Sequence, residues 1–259
     1  MKFPVPFSTS AVLLALFLFQ VFVPCNVSAQ TSPNLAYDTS QLLLLKPPFS
    51  VADYFLLLPE SLFTYEGKSK PFDAKTRKLI LQSSTSDSAR LNGVDFFLGA
   101  LETEKTFMVI NTPESDKGTS FSVALWTYKP TPPKGKKTVA KPLIGWCKRR
   151  WTGNGSRSEV RFFTFENKEW REITAKVFPQ IKMTEFIQWS GLRGKPDLKP
   201  PLDLELARSE QAVIGRLDMQ LLAIMPDLKP IAPGLERNVQ IRTVELRLRD
   251  SVFVITNKY

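Results

Sequence analysis

The residues best placed to do chemistry sit in one short run, Trp146-Cys147-Lys148-Arg149-Arg150-Trp151. A thiol beside three cations is where a lowered pKa would generate thiolate. A cysteine nucleophile usually needs a base as well, and the chain has no histidine. That absence removes His-based triads, His–metal sites and imidazole acid–base chemistry together. The same run reads more simply as a strand, with Cys147 half-buried and its cations pointing outward. Among carboxylates, Asp203 with Glu205 and Asp218 with Glu245 are formally eligible as a glycosidase-like pair. Each of the four falls where alternation expects a solvated strand face. There is no phosphate-cradling glycine loop, nucleophile elbow, Ser-x-x-Lys pair or D-x-D-x-D-G calcium loop. Binding is therefore the leading class, and neither a cofactor nor a metal is expected.

Charge is the strongest anomaly. Lys and Arg number 35 against 25 Asp and Glu, a net +10. Nine of the cations fall between Lys129 and Arg157, with no acid among them. The stretch opens on Pro130-Thr131-Pro132-Pro133, which should form an extended exposed loop. Lys134, Lys136, Lys137, Trp146, Lys148, Arg149, Arg150 and Trp151 are the candidate binding residues. Cations beside aromatics suit an anionic polymer, a lipid headgroup or an acidic envelope protein. The bland alternative is a solvated insertion that keeps the protein soluble. Trp170 and Trp189 would suit a sugar platform, although hairpin tryptophans more often pack beneath their own turn.

The elements that must position these residues are mainly strands. Ser50 can cap a short helix over Val51 to Leu58, with Asp53 in its first turn and Pro59 ending it. From about 79 to 174, apolar runs at Leu79–Leu81, Val94–Leu98, Thr106–Ile110, Ser120–Tyr128 and Val160–Phe165 alternate with turn-forming stretches. Asn167-Lys168 joins Phe165 to a partner strand around Trp170–Ile173. Residues 191–201 hold three Pro and two Gly and read as a linker. Beyond it, Leu202, Leu204 and Leu206 alternate with Asp203, Glu205 and Ala207. Val213, Gly215, Leu217, Met219 and Leu221 repeat the pattern, as do Val244, Leu246 and Leu248. Asp250-Ser251 turns the chain into Val252–Thr256. A meander of about four strands with one wet face is predicted.

The first 29 residues read as a signal peptide: Lys2, an uncharged run from Ala11 to Val23, then Val27-Ser28-Ala29 as a cleavage site. The apolar core is short for a bilayer span. No later apolar stretch approaches 18 residues, so no membrane-spanning segment is expected in the mature chain. Cleavage would leave Cys147 as the single cysteine, and one thiol makes no internal disulfide. The expected destination is the periplasm or the cell exterior, and export argues against nucleic acid as the natural partner. Segments follow: 1–29 signal peptide, 30–66 helical or irregular lead-in, 67–190 central antiparallel domain, 191–201 linker, and 202–259 β meander. The fold class is α+β, mainly β, built of antiparallel sheets with a short N-terminal helical segment.

Four segments carry a resemblance: Val51-Ala52-Asp53-Tyr54-Phe55-Leu56-Leu57-Leu58-Pro59, Asn92-Gly93-Val94, Phe163 to Trp170, and Phe178-Pro179. Together they resemble a group of uncharacterised secreted or periplasmic bacterial β-rich proteins with an "LP" segment, an "NG" turn and an aromatic hairpin. The likeness would span roughly 50–190. Lys168-Glu169 stands where that group's turn has a Gly. The resemblance implies the fold class and assigns no activity. Three functions remain: a non-catalytic binding or envelope-associated module using 129–157, a histidine-free hydrolase with paired carboxylates, and a structural subunit of an assembly outside the cytoplasm.

Overall fold

Strands β4 (Gly118–Tyr128), β5 (Lys141–Thr152) and β6 (Gly155–Glu166) are the longest elements, at 11, 12 and 12 residues. In this computed structural model they form the centre of a seven-stranded antiparallel sheet. The remaining strands are β1 (Ser88–Leu91), β2 (Val94–Glu102), β3 (Phe107–Asn111) and β7 (Glu169–Glu172), and the order is sequential from β1 to β7. Four later strands form a second sheet: β8 (Leu202–Leu206), β9 (Ala212–Leu217), β10 (Thr243–Arg249) and β11 (Val252–Lys258). Its order is β11-β10-β9-β8. The structure describes residues 49–64, 72–82, 88–91, 94–102, 106–112, 118–132, 134–135, 137–187, 198–208, 211–226, 228 and 232–259. All of them belong to one unit, Ser32–Tyr259. The signal peptide, most of the linker, Lys136 and Trp189 lie outside the described residues.

Both faces of the large sheet are buried, which explains why its central strands read as continuous apolar runs rather than as alternation. On one face Met108, Ile110, Phe121, Val123, Leu125, Ile144, Trp146 and Phe163 meet a helical layer. That layer consists of α1 (Val51–Leu57), a 3-10 turn (Glu60–Phe63) and α2 (Ala74–Gln82). On the other face Phe107, Ala124, Trp126, Leu143, Cys147, Val160 and Phe162 pack against the second sheet through Leu206, Val213, Leu217, Val244, Leu246 and Phe253. The architecture is helices, sheet, sheet.

The expected cap at Ser50 forms. Its hydroxyl accepts the Asp53 amide N–H, and the Asp53 carboxylate accepts the Ser50 N–H at 2.7 Å, completing a capping box. The helical layer is then locked from behind by Arg77, a fully buried side chain on α2. Its Nη1 donates to the carbonyls of Phe55 and Leu58 at 2.7 and 2.5 Å, taking up orphan acceptors at the end of α1. Its guanidinium also lies 4.9 Å from the Phe63 ring centroid.

Three expectations are corrected. Leu79–Leu81 belongs to α2 rather than to a strand, because Ile80 faces the core while Leu79 is exposed. The alternation from Val213 stops at Leu217: Asp218 accepts the Leu221 N–H at 2.9 Å and starts a helix, α4 (Met219–Ile224), after the short α3 (Thr174–Val177). A last helix, α5 (Ala232–Arg237), precedes β10. Trp170 packs away, as hairpin tryptophans more often do: it is buried under α1, its indole N–H donating to the Leu57 carbonyl at 3.0 Å. Asp203 and Glu245 are 6% and 3% exposed, not solvated, because each has gained a cation. The rest of the wet face holds, with Glu205 and Arg216 paired across β8 and β9 at 2.5 Å.

Candidate functional site

Alternation along β5 decides where each expected binding residue goes. Ile144, Trp146, Lys148 and Arg150 share the face covered by the helical layer; Leu143, Cys147, Arg149 and Trp151 share the face toward the second sheet. The basic cluster is thus divided by the sheet itself. Lys134 and Lys137 are exposed in the loop that leaves the sheet at the Tyr128/Lys141 end. Lys148 to Trp151 lie at the other end of the same hairpin, and Lys148 is already roughly 23 Å along the strand from Lys141.

On the second-sheet side, Arg149 donates through Nε to Asp203 Oδ1 at 2.8 Å and through Nη2 to Asp203 Oδ2. Burial works against the Arg149 charge, but the Asp203 carboxylate outweighs it and holds the guanidinium above its ordinary range. Arg149 therefore ties the two sheets together. Beside it, Ser158 Oγ donates to the Leu202 carbonyl at 3.2 Å and accepts the Leu204 N–H at 2.5 Å. Cys147 Sγ donates to the Leu204 carbonyl at 3.4 Å. These side chains satisfy backbone groups along β8, the last strand of its sheet. Burial pushes the Cys147 thiol up to about 12, so it is no thiolate at neutral pH. Trp151 lies over Gly118, its register partner, where a Cβ would overlap the indole ring.

The helix-layer side carries the cations that remain in reach of solvent. Arg150 and Arg157 are register partners on β5 and β6, both exposed. Lys148 and Glu159 are the next pair on this face, and Trp146 and Arg161 the one after. Arg161 donates through Nε to Glu159 at 2.6 Å, and its Nη1 lies 3.7 Å from Glu172. The Lys148 ammonium donates to the Thr64 carbonyl and sits 5.8 Å from the Phe121 ring centroid. Burial, and then neighbouring Arg150, pull Lys148 below the usual lysine range. A cleft of about 230 Å³ opens here, lined by Ser61, Leu62, Thr64, Trp146, Lys148, Glu159 and Arg161.

Five of the lining residues, Ser61, Leu62, Thr64, Glu159 and Arg161, were not singled out by the sequence. Glu159 and Arg161 were legible as polar positions of a strand, but no local signal linked them to Trp146. Trp146 is not a surface aromatic: it is 1% exposed and forms the inner wall of the cleft. Each of the four eligible carboxylates already has a partner of its own. Asp203 holds Arg149, Glu205 holds Arg216, Asp218 caps α4 and accepts the Ser156 N–H, and Glu245 is held by Arg247, Asn257 and Tyr259. No group of three or more His, Cys, Asp or Glu that would hold a metal occurs among the described residues. No helix among them is long and apolar enough to cross a membrane. Comparison with known protein families, curated proteins and solved structures finds no match to this chain.

Proposed function

We propose that this protein is an exported, non-catalytic binding module whose partner is an anionic polymer of the cell envelope or exterior. The contact surface is the basic end of the β5–β6 hairpin, with Arg150 and Arg157 at its rim and Lys148 and Arg161 behind them. The observation that carries the reading is the direct cross-strand juxtaposition of Arg150 and Arg157. Two exposed guanidiniums side by side can each donate to the oxygens of a polyanion laid along the strands. The signal-peptide pattern of residues 1–29 supports the compartment. Lys134 and Lys137, leaving the hairpin at its other end, serve solubility in this reading.

Retention on immobilised polyphosphate is the test. It should fall steeply between about 0.05 and about 0.5 M salt, as counterion release requires. Arg150→Glu with Arg157→Glu should abolish it, while Lys134→Glu with Lys137→Glu should leave most of it. Retention that ignores salt, or that follows Lys134 and Lys137 instead, removes the proposal. Retention on anionic vesicles but not on polyphosphate would transfer the site to a lipid surface and equally remove it.

A second reading, a structural subunit, has one observation in its favour. The outer strand β11 leaves Val252 and Val254 42% and 37% exposed, an apolar strip of the kind that edge strands use to recruit partners. A monomeric mass by size exclusion with light scattering would dispose of self-assembly through that strand.

A further inference from the structure

Trp146 has a hydrogen-bonding requirement that the fold leaves unmet. Its indole is 1% exposed, and Nε1 has no acceptor within hydrogen-bond distance. The two other buried tryptophans with a described N–H are both satisfied: Trp126 donates to the Gln211 carbonyl at 2.5 Å and Trp170 to the Leu57 carbonyl at 3.0 Å. Buried indole N–H groups ordinarily find a partner. The exception, Trp146, lines a cleft.

The cleft around it is rich in donors. Ser61 supplies a hydroxyl, Lys148 an ammonium and Arg161 a guanidinium. The single carboxylate in the lining, Glu159, is already engaged by Arg161. An ammonium can donate three hydrogen bonds, and the Thr64 carbonyl takes one from Lys148. The lining thus sets two cations, Lys148 and Arg161, against one carboxylate.

We infer that the cleft between the 3-10 turn and β5–β6 is a binding site for one oxyanion, whose oxygens accept from the Trp146 indole N–H and the Lys148 ammonium. The inference deepens the proposed function, and rests on it in taking an anion as the natural ligand: one charged group of the polymer enters the cleft while Arg150 and Arg157 hold its neighbours. Phosphate and carboxylate share the required chemistry. The depressed affinity of Lys148 for its proton fits a cation waiting for a counter-charge, since an anion beside it would restore that affinity.

The five tryptophans of the chain make the test direct, because each indole N–H gives its own ¹⁵N–¹H cross-peak. Trp146→Phe identifies the peak by its loss. If that variant fails to fold, Lys148→Met identifies it by the shift of the nearest indole. The full-length protein is titrated with sodium phosphate and, separately, sodium acetate, against sodium chloride at matched ionic strength. A saturable downfield movement of the Trp146 peak is expected with an oxyanion and not with chloride. Lys148→Met should weaken the apparent affinity about tenfold or more. A response to phosphate alone assigns a phosphoryl group, and a response to acetate as well assigns oxyanions generally. A peak that moves only as it does in chloride overturns the inference, and so does titration undiminished in Lys148→Met. The two proposals separate cleanly. Salt-insensitive retention on polyphosphate with a saturating indole shift removes only the polymer. Salt-sensitive retention with a silent indole removes only the cleft.

Discussion

Arg149 on β5 and Asp203 on β8 form a two-pronged ion pair between the two sheets, across 54 positions of sequence. Asp203 is almost wholly buried while the Arg149 side chain keeps 35% of its surface. The pair therefore costs desolvation mainly on the carboxylate side, and it is the guanidinium that makes the buried charge tolerable.

Removing one partner should be worse than removing both. Arg149→Met strands the Asp203 carboxylate and is expected to cost about 2–3 kcal/mol, toward the lower end for a buried pair because Arg149 is partly solvated. Arg149→Met with Asp203→Leu should recover much of that loss. Urea unfolding of the wild type and the two variants measures it, and equal losses in the single and double variants would deny the ion pair its role between the sheets.

Cys147 should be chemically silent in the native state. Its thiol is fully buried, bonded to the Leu204 carbonyl and held up at about 12 by that burial. A thiol-specific reagent at about pH 8 should label it only after denaturant is added. Rapid labelling of the folded protein would contradict the packing between the sheets.

Arg77 should be among the most sensitive positions in the helical layer. Arg77→Met leaves two buried carbonyls, those of Phe55 and Leu58, without their donor. A loss of roughly 2–4 kcal/mol is expected, with Arg77→Lys intermediate because it keeps a charge but not the fork. Thermal and urea unfolding would show this. Lost near-ultraviolet dichroism with unchanged far-ultraviolet signal would localise the damage to aromatic packing around Phe63.

Glu245 makes the protein sensitive to acid. The Asn257 amide and then Arg247 hold its carboxyl below the ordinary glutamate value of 4.5. A depressed folded pKa means that the unfolded chain binds the proton first. The contribution is thus complete above pH 4.5 and is lost as pH falls through the lower folded value. Glu245→Gln should lower stability at neutral pH and flatten its decline on the acid side. A wild-type melting temperature that does not fall faster than the variant's below that pH would rule the effect out.

Local chemistry was readable without the fold. Ser50 as a cap, Asp53 in the first turn and Pro59 as the limit of the first helix were readable because these interactions close within one turn. Alternation placed β8 and β10, since a sheet with one wet face writes its period into the sequence. The turns at Asn167-Lys168 and Asp250-Ser251 were equally legible, and both use left-handed backbone at Asn167, Lys168 and Asp250. Leu79–Leu81 misled because three apolar residues fit either period until their burial is known.

The candidate site was legible only as a composition. Sequence alone fixed how many cations this segment carries and that histidine plays no part. Which of them act together was decided by the pleat: adjacent residues of one strand point to opposite faces, so Lys148 and Arg150 kept solvent while Arg149 was drawn against Asp203. Trp146, Ser61 and Arg161 meet because strand pairing and helix packing bring distant segments within contact, and nothing local encodes that meeting. Types of side chain are a property of the chain. Their neighbours, and hence which charges are neutralised and which donors are left wanting, belong to the folded state, where desolvation and long-range packing set the terms.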